Sequence, residues 1–145
     1  LKPYVAYDFS ILETDEIFDA VCPHIDFAIT SCGDASMEEI QRRCKRIHQR
    51  GCRYVIASRG KNGSVFSDGE HLFTHPAYLV EALDTLGAGD SFLTAFLLSF
   101  VEWLEGNHDP SELEDAVMAA MDAGSKFSAK TCMVHGAFGH GKQFE

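Results

Sequence analysis

The chain has 145 residues, of which 46% are hydrophobic and 23% are charged, and its formal net charge is −10. A chain of this size can bury a core, and its acidity excludes nucleic-acid binding through a basic surface. Five cysteines without a C-x-x-C pair indicate reduced thiols and a cytoplasmic protein. No apolar run is long enough to span a membrane, so we expect neither nucleic-acid nor membrane partners.

The first part of the chain alternates short apolar runs with an amphipathic helix, which is typical of an α/β protein. Three strands are predicted here: residues 4–8, 26–30 and 53–58. The helix before the third strand has Ser36 and Glu39 at capping-box spacing, and Gly51 can end it. The pattern therefore favours a layered sheet with covering helices.

The second part of the chain begins with a turn at residues 61–63. Its sequence pattern is first that of a hairpin and then that of helices. The elements predicted after the turn are a hairpin of 64–67 and 70–74 around Asp68-Gly69, a strand at 78–83, a helix to about Glu105, a helix to about Thr131 and a Gly- and His-rich tail at 134–145. Asp109 and Pro110 are typical of the start of that last helix, as N-cap and first helical residue.

The most informative segment runs from Asp84 to Asp90 and reads Asp-Thr-Leu-Gly-Ala-Gly-Asp. Its small residues allow a tight turn, and the amides of Gly87, Ala88, Gly89 and Asp90 would form an anion site at a helix N-terminus. A carboxylate beside such a site is explained by base catalysis, in which Asp90 takes a proton from a hydroxyl that attacks a γ-phosphoryl group. The alternative is a glycine-rich turn in which Asp90 merely starts a helix.

The segment Asp84–Phe92 resembles the C-terminal signature of the ribokinase-like (PfkB) carbohydrate kinases. The resemblance extends over essentially the whole chain and corresponds to the C-terminal half of such an enzyme. Val55–Gly63 is similar to the family's strand and nucleotide loop, and Lys130–Ala137 is similar to its closing segment. Among the subfamilies, residues 23–28 and 135–138 look most like bacterial fructoselysine 6-kinases.

The resemblance implies a three-layer α/β/α sandwich with a mainly parallel sheet, and ATP-dependent phosphorylation of a sugar or sugar-amine hydroxyl. It implies ATP and Mg²⁺ as cofactors, K⁺ as a further ion, a small sugar as substrate and a homodimer in the full-length protein. Residues 1–145 would be one truncated domain, since a strand follows soon after Leu1 without an initiator Met. The missing N-terminal half would carry most sugar contacts and a lid.

The resemblance also assigns roles to single residues. Asp90 would be the base beside the anion hole of residues 87–89. K⁺ would be held by the Asp84 side chain, the Leu86 carbonyl and carbonyls of residues 131–136, because hard oxygen ligands suit such an ion. The nucleotide would be lined by Ser58, Gly60, Gly63, Val80, Thr85, Ser125, Ser128 and His135.

One stretch departs from the family pattern. The family often has Asn-x-x-Glu to organise Mg²⁺, whereas residues 31–34 read Ser-Cys-Gly-Asp. Asp34 could replace the Glu through water, since Mg²⁺ usually keeps several waters. Asp8 would face the same crevice or be a solvated strand-end carboxylate, and Arg59 and Lys61 would pair with phosphates or be solvated loop charges.

Two function classes outside active kinases fit the sequence less well. A phospho-accepting receiver-like domain would use Asp8 at a strand end, but residues 58–61 poorly match the late-strand Lys that it needs. A catalytically inactive nucleotide-binding module would explain the loops, but the intact Asp90 argues against it. The sequence thus favours a sugar kinase over both alternatives.

Overall fold

The computed structural model describes residues 3–141. It divides the chain into two compact units whose boundary in the sequence falls between Thr74 and His75. No helix within residues 3–141 is both long and apolar enough to cross a lipid bilayer.

The first unit is built on a five-stranded sheet in the order β1-β2-β3-β4-β5. Its strands are β1 (Ala6–Asp8), β2 (Phe27–Ser31), β3 (Tyr54–Ser58), β4 (Ser64–Ser67) and β5 (Leu72–His75). β1, β2 and β3 run parallel and β4 is antiparallel to β3, so a parallel portion is extended by a hairpin. The first four residues of β2 and of β3 are buried, which explains their continuous apolar sequences.

Two helices accompany this sheet, α1 (Asp15–Val21) and α2 (Met37–His48). The capping box of α2 is confirmed: Ser36 Oγ accepts from the Glu39 amide at 3.2 Å, and Glu39 Oε2 accepts from the Ser36 amide at 2.7 Å. α1 was not predicted; it is a helix of only seven residues that begins where Thr14 Oγ1 accepts from the Ile17 amide. So short a helix has too little periodicity to be recognised without its tertiary contacts.

The core of the first unit is formed by side chains from the sheet, both helices and the connecting loops. Its most deeply buried members include Phe9, Phe18, Ile40, Ile47, Val55 and Val65. Four of the five cysteines, Cys22, Cys32, Cys44 and Cys52, are buried free thiols. Burial raises the pKa of both Cys44 and Cys52 to about 12, so these cysteines act as small apolar side chains.

The second unit contains two long helices that pack against each other, α3 (Ala88–Glu105) and α4 (Leu113–Cys132). Asp109 Oδ1 accepts from the Ser111 amide at 2.9 Å, and Pro110 opens a short 3₁₀ turn, Pro110–Glu112. The predicted cap is therefore present, but the α-helix itself begins three residues later than predicted, at Leu113. Buried side chains between the helices include Phe92, Phe96, Phe100, Val117 and Met121.

Two strand predictions are corrected by the structure. Residues 78–83 form no strand: the Leu83 amide donates to the Cys132 carbonyl at the end of α4, and Leu79 is 78% exposed. An apolar run becomes a strand only where a neighbouring strand supplies hydrogen bonds. The strand predicted at 70–74 is instead β5, because Asp68 Oδ1 accepts from the amides of Glu70 and His71 and holds both in the turn. Of the predicted tail, residues 142–145 lie outside the described residues.

Candidate nucleotide and phosphoryl-transfer site

The first turn of α3 carries the predicted catalytic residues. Gly87 is the N-cap with φ 80° and ψ 2°, a left-handed conformation that favours glycine. Its carbonyl accepts the first helical hydrogen bond, from the Ser91 amide at 2.9 Å. Asp90 lies in that turn with an exposed side chain, and a Cβ added to Gly89 would meet no atom within 4 Å. The turn therefore leaves both the carboxylate and the backbone accessible.

The amides of this turn differ in what they can bind. The Ala88 amide donates to the Thr85 carbonyl at 3.1 Å, so the turn itself uses it. The amides of Gly89 and Asp90 precede the first hydrogen bond of the helix, where helix geometry provides no acceptor. These two amides, at the positive end of the helix dipole, are the ones suited to an anion.

Asp84 joins the start of the motif to the segment after α4. Its Oδ1 accepts from the Leu86 amide and its Oδ2 accepts from the Gly136 amide, each at 2.9 Å. These two backbone amides, in that order, lower the pKa of the Asp84 carboxyl below its usual value. Asp84 is therefore an ionised clamp that ties the loop before α3 to the loop after α4.

A second hydrogen bond, between two side-chain hydroxyl groups, supports the link that Asp84 makes. Ser91 Oγ and Thr131 Oγ1 lie 2.6 Å apart, and both residues are buried between α3 and α4. Gly136 has φ 71°, and a Cβ there would lie 2.3 Å from Gly141. The segment after α4 is thus joined to the loop before α3 through the Asp84 carboxylate, and α4 is joined to α3 through the two hydroxyl groups. Of the predicted ion ligands, Asp84 therefore contacts the segment of residues 131–136.

The predicted adenine and ribose residues of the second unit are more scattered. Ser125 and Ser128 are three positions apart on α4 and so share one face. Val80 lies in the irregular segment before the motif, where the Tyr78 hydroxyl donates to Asp122 Oδ1 at 2.6 Å and so anchors the segment one turn before Ser125. Thr85 and His135 are exposed in the loops joined by Asp84.

In the first unit, the predicted nucleotide loop follows the carboxyl end of β3. Gly60 and Gly63 have φ values of 54° and 89°, and the loop closes where the Arg59 amide donates to the Gly63 carbonyl at 2.9 Å. Ser58 is the last residue of β3, and its carbonyl accepts from the Cys32 amide at 2.8 Å. The loops after β2 and β3 therefore lie side by side at the edge where parallel sheets bind ligands.

Within this loop, Arg59 has an unusual donor. Its Nε is buried and has no hydrogen-bond acceptor among the residues that the structure describes. A buried donor without an acceptor is unfavourable, and a bound ligand or water commonly satisfies it.

The acidic residues near this edge are each engaged. Asp34 is exposed, and its Oδ1 accepts from Asn62 Nδ2 at 2.9 Å. Asp8 Oδ1 accepts from the Ser10 amide at 2.7 Å, which caps the turn after β1. Within residues 3–141, no group of three or more His, Cys, Asp or Glu side chains is arranged to hold a metal ion.

Sequence reasoning missed two residues that shape this edge. Asn62 was interpreted only as part of a turn, although it binds Asp34. Arg43 had no predicted role at this edge, yet its Nη1 lies 3.1 Å from the Ser31 carbonyl and 2.5 Å from Glu13 Oε1. None of these three contacts has a sequence signal, because each joins residues more than ten positions apart.

Comparison with known proteins agrees with this architecture. The fructosamine kinase FrlD of Bacillus subtilis (strain 168) is 34% identical over 137 residues, which cover 94% of this chain and 44% of the relative. The fructoselysine 6-kinase of Escherichia coli (strain K12) is 34% identical over 133 residues, 92% of this chain and 46% of the relative. The chain thus spans less than half the length of these curated relatives.

Solved structures show the same fold. Aminoimidazole riboside kinase from Salmonella enterica, complexed with aminoimidazole riboside and an ATP analog, matches 92% of this chain and 47% of its own with a TM-score of 0.72 at 21% identity. A putative ribokinase II from E. coli in complex with ATP and Mg²⁺ matches 92% of this chain and 43% of its own with a TM-score of 0.67 at 20% identity. The ribokinase-like α/β fold expected from the sequence is confirmed.

The family model described as pfkB family carbohydrate kinase matches residues 11–136. That range contains the α3 turn with Asp90, the Asp84 clamp and both loops at the carboxyl edge of the sheet. The chain therefore belongs to the pfkB family of carbohydrate kinases.

Proposed function

We propose that the complete protein is an ATP-dependent sugar kinase in which this chain binds the nucleotide and supplies the catalytic base, Asp90. The observation that carries the proposal is the first turn of α3. It has an exposed carboxylate in the same turn as two amides that lack helical acceptors. Family membership adds weight, and it removes the support for a receiver-like domain.

In the proposed mechanism, the amides of Gly89 and Asp90 bind the oxygens of the transferring phosphoryl group. The left-handed Gly87 fixes the direction of these amides before the substrate arrives, so little reorganisation is needed in the transition state. The Asp90 carboxylate accepts the proton of the sugar hydroxyl while the hydroxyl oxygen attacks the γ-phosphorus of ATP. The bond from the γ-phosphorus to ADP breaks, and ADP leaves.

The loop after β3 is proposed to bind the nucleotide phosphates and ribose through Ser58, Gly60 and Gly63. The buried Nε of Arg59 supports this role, because a phosphate oxygen would satisfy a donor that has no acceptor within residues 3–141. In the second unit, Val80, Thr85, Ser125, Ser128 and His135 are proposed to line the nucleotide.

Mg²⁺ and K⁺ are proposed as the ions of the reaction. Mg²⁺ is commonly held by one or two carboxylates together with phosphates and water, and the exposed Asp34 fits that limited requirement. Bound there, Mg²⁺ would offset phosphate charge. For K⁺, the Asp84 side chain, the Leu86 carbonyl and carbonyls of residues 131–136 are proposed as ligands, and the bond from the Gly136 amide to Asp84 Oδ2 supports this by joining the two segments.

The acceptor is proposed to be a sugar-amine adduct of the fructosamine or fructoselysine class. This rests on the names of the two relatives at 34% identity, which cover almost the whole chain. A panel of fructoselysine, other fructosamines, fructose and ribose, assayed by ADP release in the complete protein, tests the substrate class. Fastest turnover of ribose or fructose would contradict it, and no turnover with measurable ADP binding would favour an inactive nucleotide-binding module.

The role of Asp90 is tested by Asp90→Asn in the complete protein. We expect turnover to fall by about 10²–10⁴-fold, the usual contribution of a general base, while ADP affinity measured by calorimetry is retained. Asp115→Asn is a matched control, because Asp115 is an exposed aspartate in the first turn of α4. Near-normal turnover of the Asp90 variant would remove it from the mechanism. Absence of any ADP binding by the unmodified protein would remove the kinase proposal itself.

A further inference from the structure

We propose that Asn62 is a positioning residue, whose side chain holds the Asp34 carboxylate in one conformation. The loops after β2 and β3 then form one preorganised edge for hydrated Mg²⁺ and the nucleotide phosphates. The inference rests on the proposed kinase function and extends it to a residue outside the predicted site. It starts from one contact, the 2.9 Å hydrogen bond from Asn62 Nδ2 to Asp34 Oδ1.

The backbones on both sides of this contact are already fixed. On the β2 side, the Cys32 amide donates to the Ser58 carbonyl at 2.8 Å and the Ala35 amide donates to the Cys32 carbonyl at 2.9 Å. On the β3 side, the Asn62 amide donates to the Arg59 carbonyl at 3.0 Å. The side-chain bond therefore joins two rigid turns, and what it fixes is the conformation of the Asp34 carboxylate.

The loop after β2 has an anchor that does not depend on Asn62. Arg43, whose side chain is only 17% exposed, donates from Nη1 to the Ser31 carbonyl at 3.1 Å and contacts Cys32 Sγ at 2.9 Å. Glu13 balances the charge of this guanidinium. Loss of the Asn62 amide should therefore leave the loop backbone and the fold intact, which separates a positioning role from a structural one.

The chemistry of Asn62 and Asp34 explains how the hydrogen bond between them would favour cation binding. A carboxylate near phosphates is repulsive unless one of its oxygens faces a cation. The Asn62 amide occupies Asp34 Oδ1 and so directs Oδ2, which this bond does not use, to a separate partner such as a water of Mg²⁺. Asn62 and Asp34 are both exposed, so without the bond the carboxylate would sample several rotamers and lose that direction.

The test measures ADP binding by calorimetry in the complete protein, with and without Mg²⁺, for the unmodified protein, Asn62→Ala, Asp34→Ala and the double variant. We expect the tightening of ADP binding by Mg²⁺ to fall about tenfold in each single variant, as for one lost hydrogen bond to a charged group. The double variant should match Asp34→Ala, because Asn62 acts only through Asp34. Asn107→Ala, at an exposed asparagine in the loop after α3, is the matched control and should change nothing.

Three results would overturn the inference while leaving the kinase proposal standing. In the first, Asn62→Ala keeps the full Mg²⁺ effect. In the second, the two single effects add in the double variant, so Asn62 acts independently of Asp34. In the third, ADP binding weakens equally with and without Mg²⁺ and the melting temperature falls, which is a structural role. If the unmodified protein binds no ADP at all, both proposals are overturned.

Discussion

Gly124 offers a sharp test of how closely α3 and α4 approach. It is buried on α4, and a Cβ placed there would lie 2.9 Å from two ring carbons and from the carbonyl oxygen of Phe92 on α3. The ring can shift, but the carbonyl belongs to the helix backbone. Gly124→Ala should therefore push α3 away from α4 just after the catalytic turn.

The size of the effect follows from two opposing contributions. Overpacking a well-filled core costs about 1–3 kcal/mol, and a clash with backbone belongs at the upper end of that range. Replacing glycine by alanine inside a helix returns about 1 kcal/mol through helix propensity. The net expectation is a loss of about 2 kcal/mol in the free energy of unfolding, or roughly 4–8 °C in melting temperature at about 2–4 °C per kcal/mol.

The assay is thermal unfolding, with Gly89→Ala as the matched control. Gly89 is also helical, but a Cβ added there would have nothing within 4 Å, so alanine should raise stability by up to about 1 kcal/mol. The same substitution is thus expected to have opposite signs on the two helices. Phe92→Leu should restore part of the stability of Gly124→Ala by removing the ring contacts. A stabilising Gly124→Ala would refute the close packing of the two helices.

Three further predictions concern a cap, a carboxylate and the thiols. Ser36→Ala should lower the free energy of unfolding by about 1 kcal/mol in urea titrations, because it removes the acceptor of the capping box; an unchanged midpoint would contradict this. The pKa of Asp84 is lower in the folded state, so its stabilisation is present above the ordinary value near 4 and is lost as pH falls through the folded value. The stability difference between the unmodified protein and Asp84→Asn should therefore shrink below about pH 4 in thermal scans, and a constant difference would contradict the assignment. Thiol titration of the native protein should label the partly exposed Cys132 first, since Cys44 and Cys52 are buried with pKa values of about 12; fast labelling of either would show that the core opens.

Local signals in the sequence predicted much of the fold. β2 and β3 are apolar runs of parallel-sheet type, α2 begins at its capping box, and Asp109 with Pro110 precedes α4. Each of these features is set within a few residues along the chain, where propensity, capping and periodicity act directly. The glycine turn before α3 and the exposed position of Asp90 were predictable for the same reason.

Contacts between distant residues decided what the sequence could not. Residues 78–83 are an apolar run of strand type, but their neighbours in the fold are α4 side chains and carbonyls, so no ladder forms. The Asp84 carboxylate was predicted as an ion ligand, and only the fold showed that it clamps the Gly136 amide 52 positions away.

The sequence alone determined the family, the order of most elements and the glycine turn that starts α3, because these depend on short-range backbone preferences and on a contiguous motif. Tertiary structure alone decided which distant groups come into contact: Asn62 with Asp34, Arg43 with the Ser31 carbonyl, and Gly124 with Phe92. Such pairs carry no periodicity or spacing, since their partners are brought together only when the sheet and the helix pair have formed.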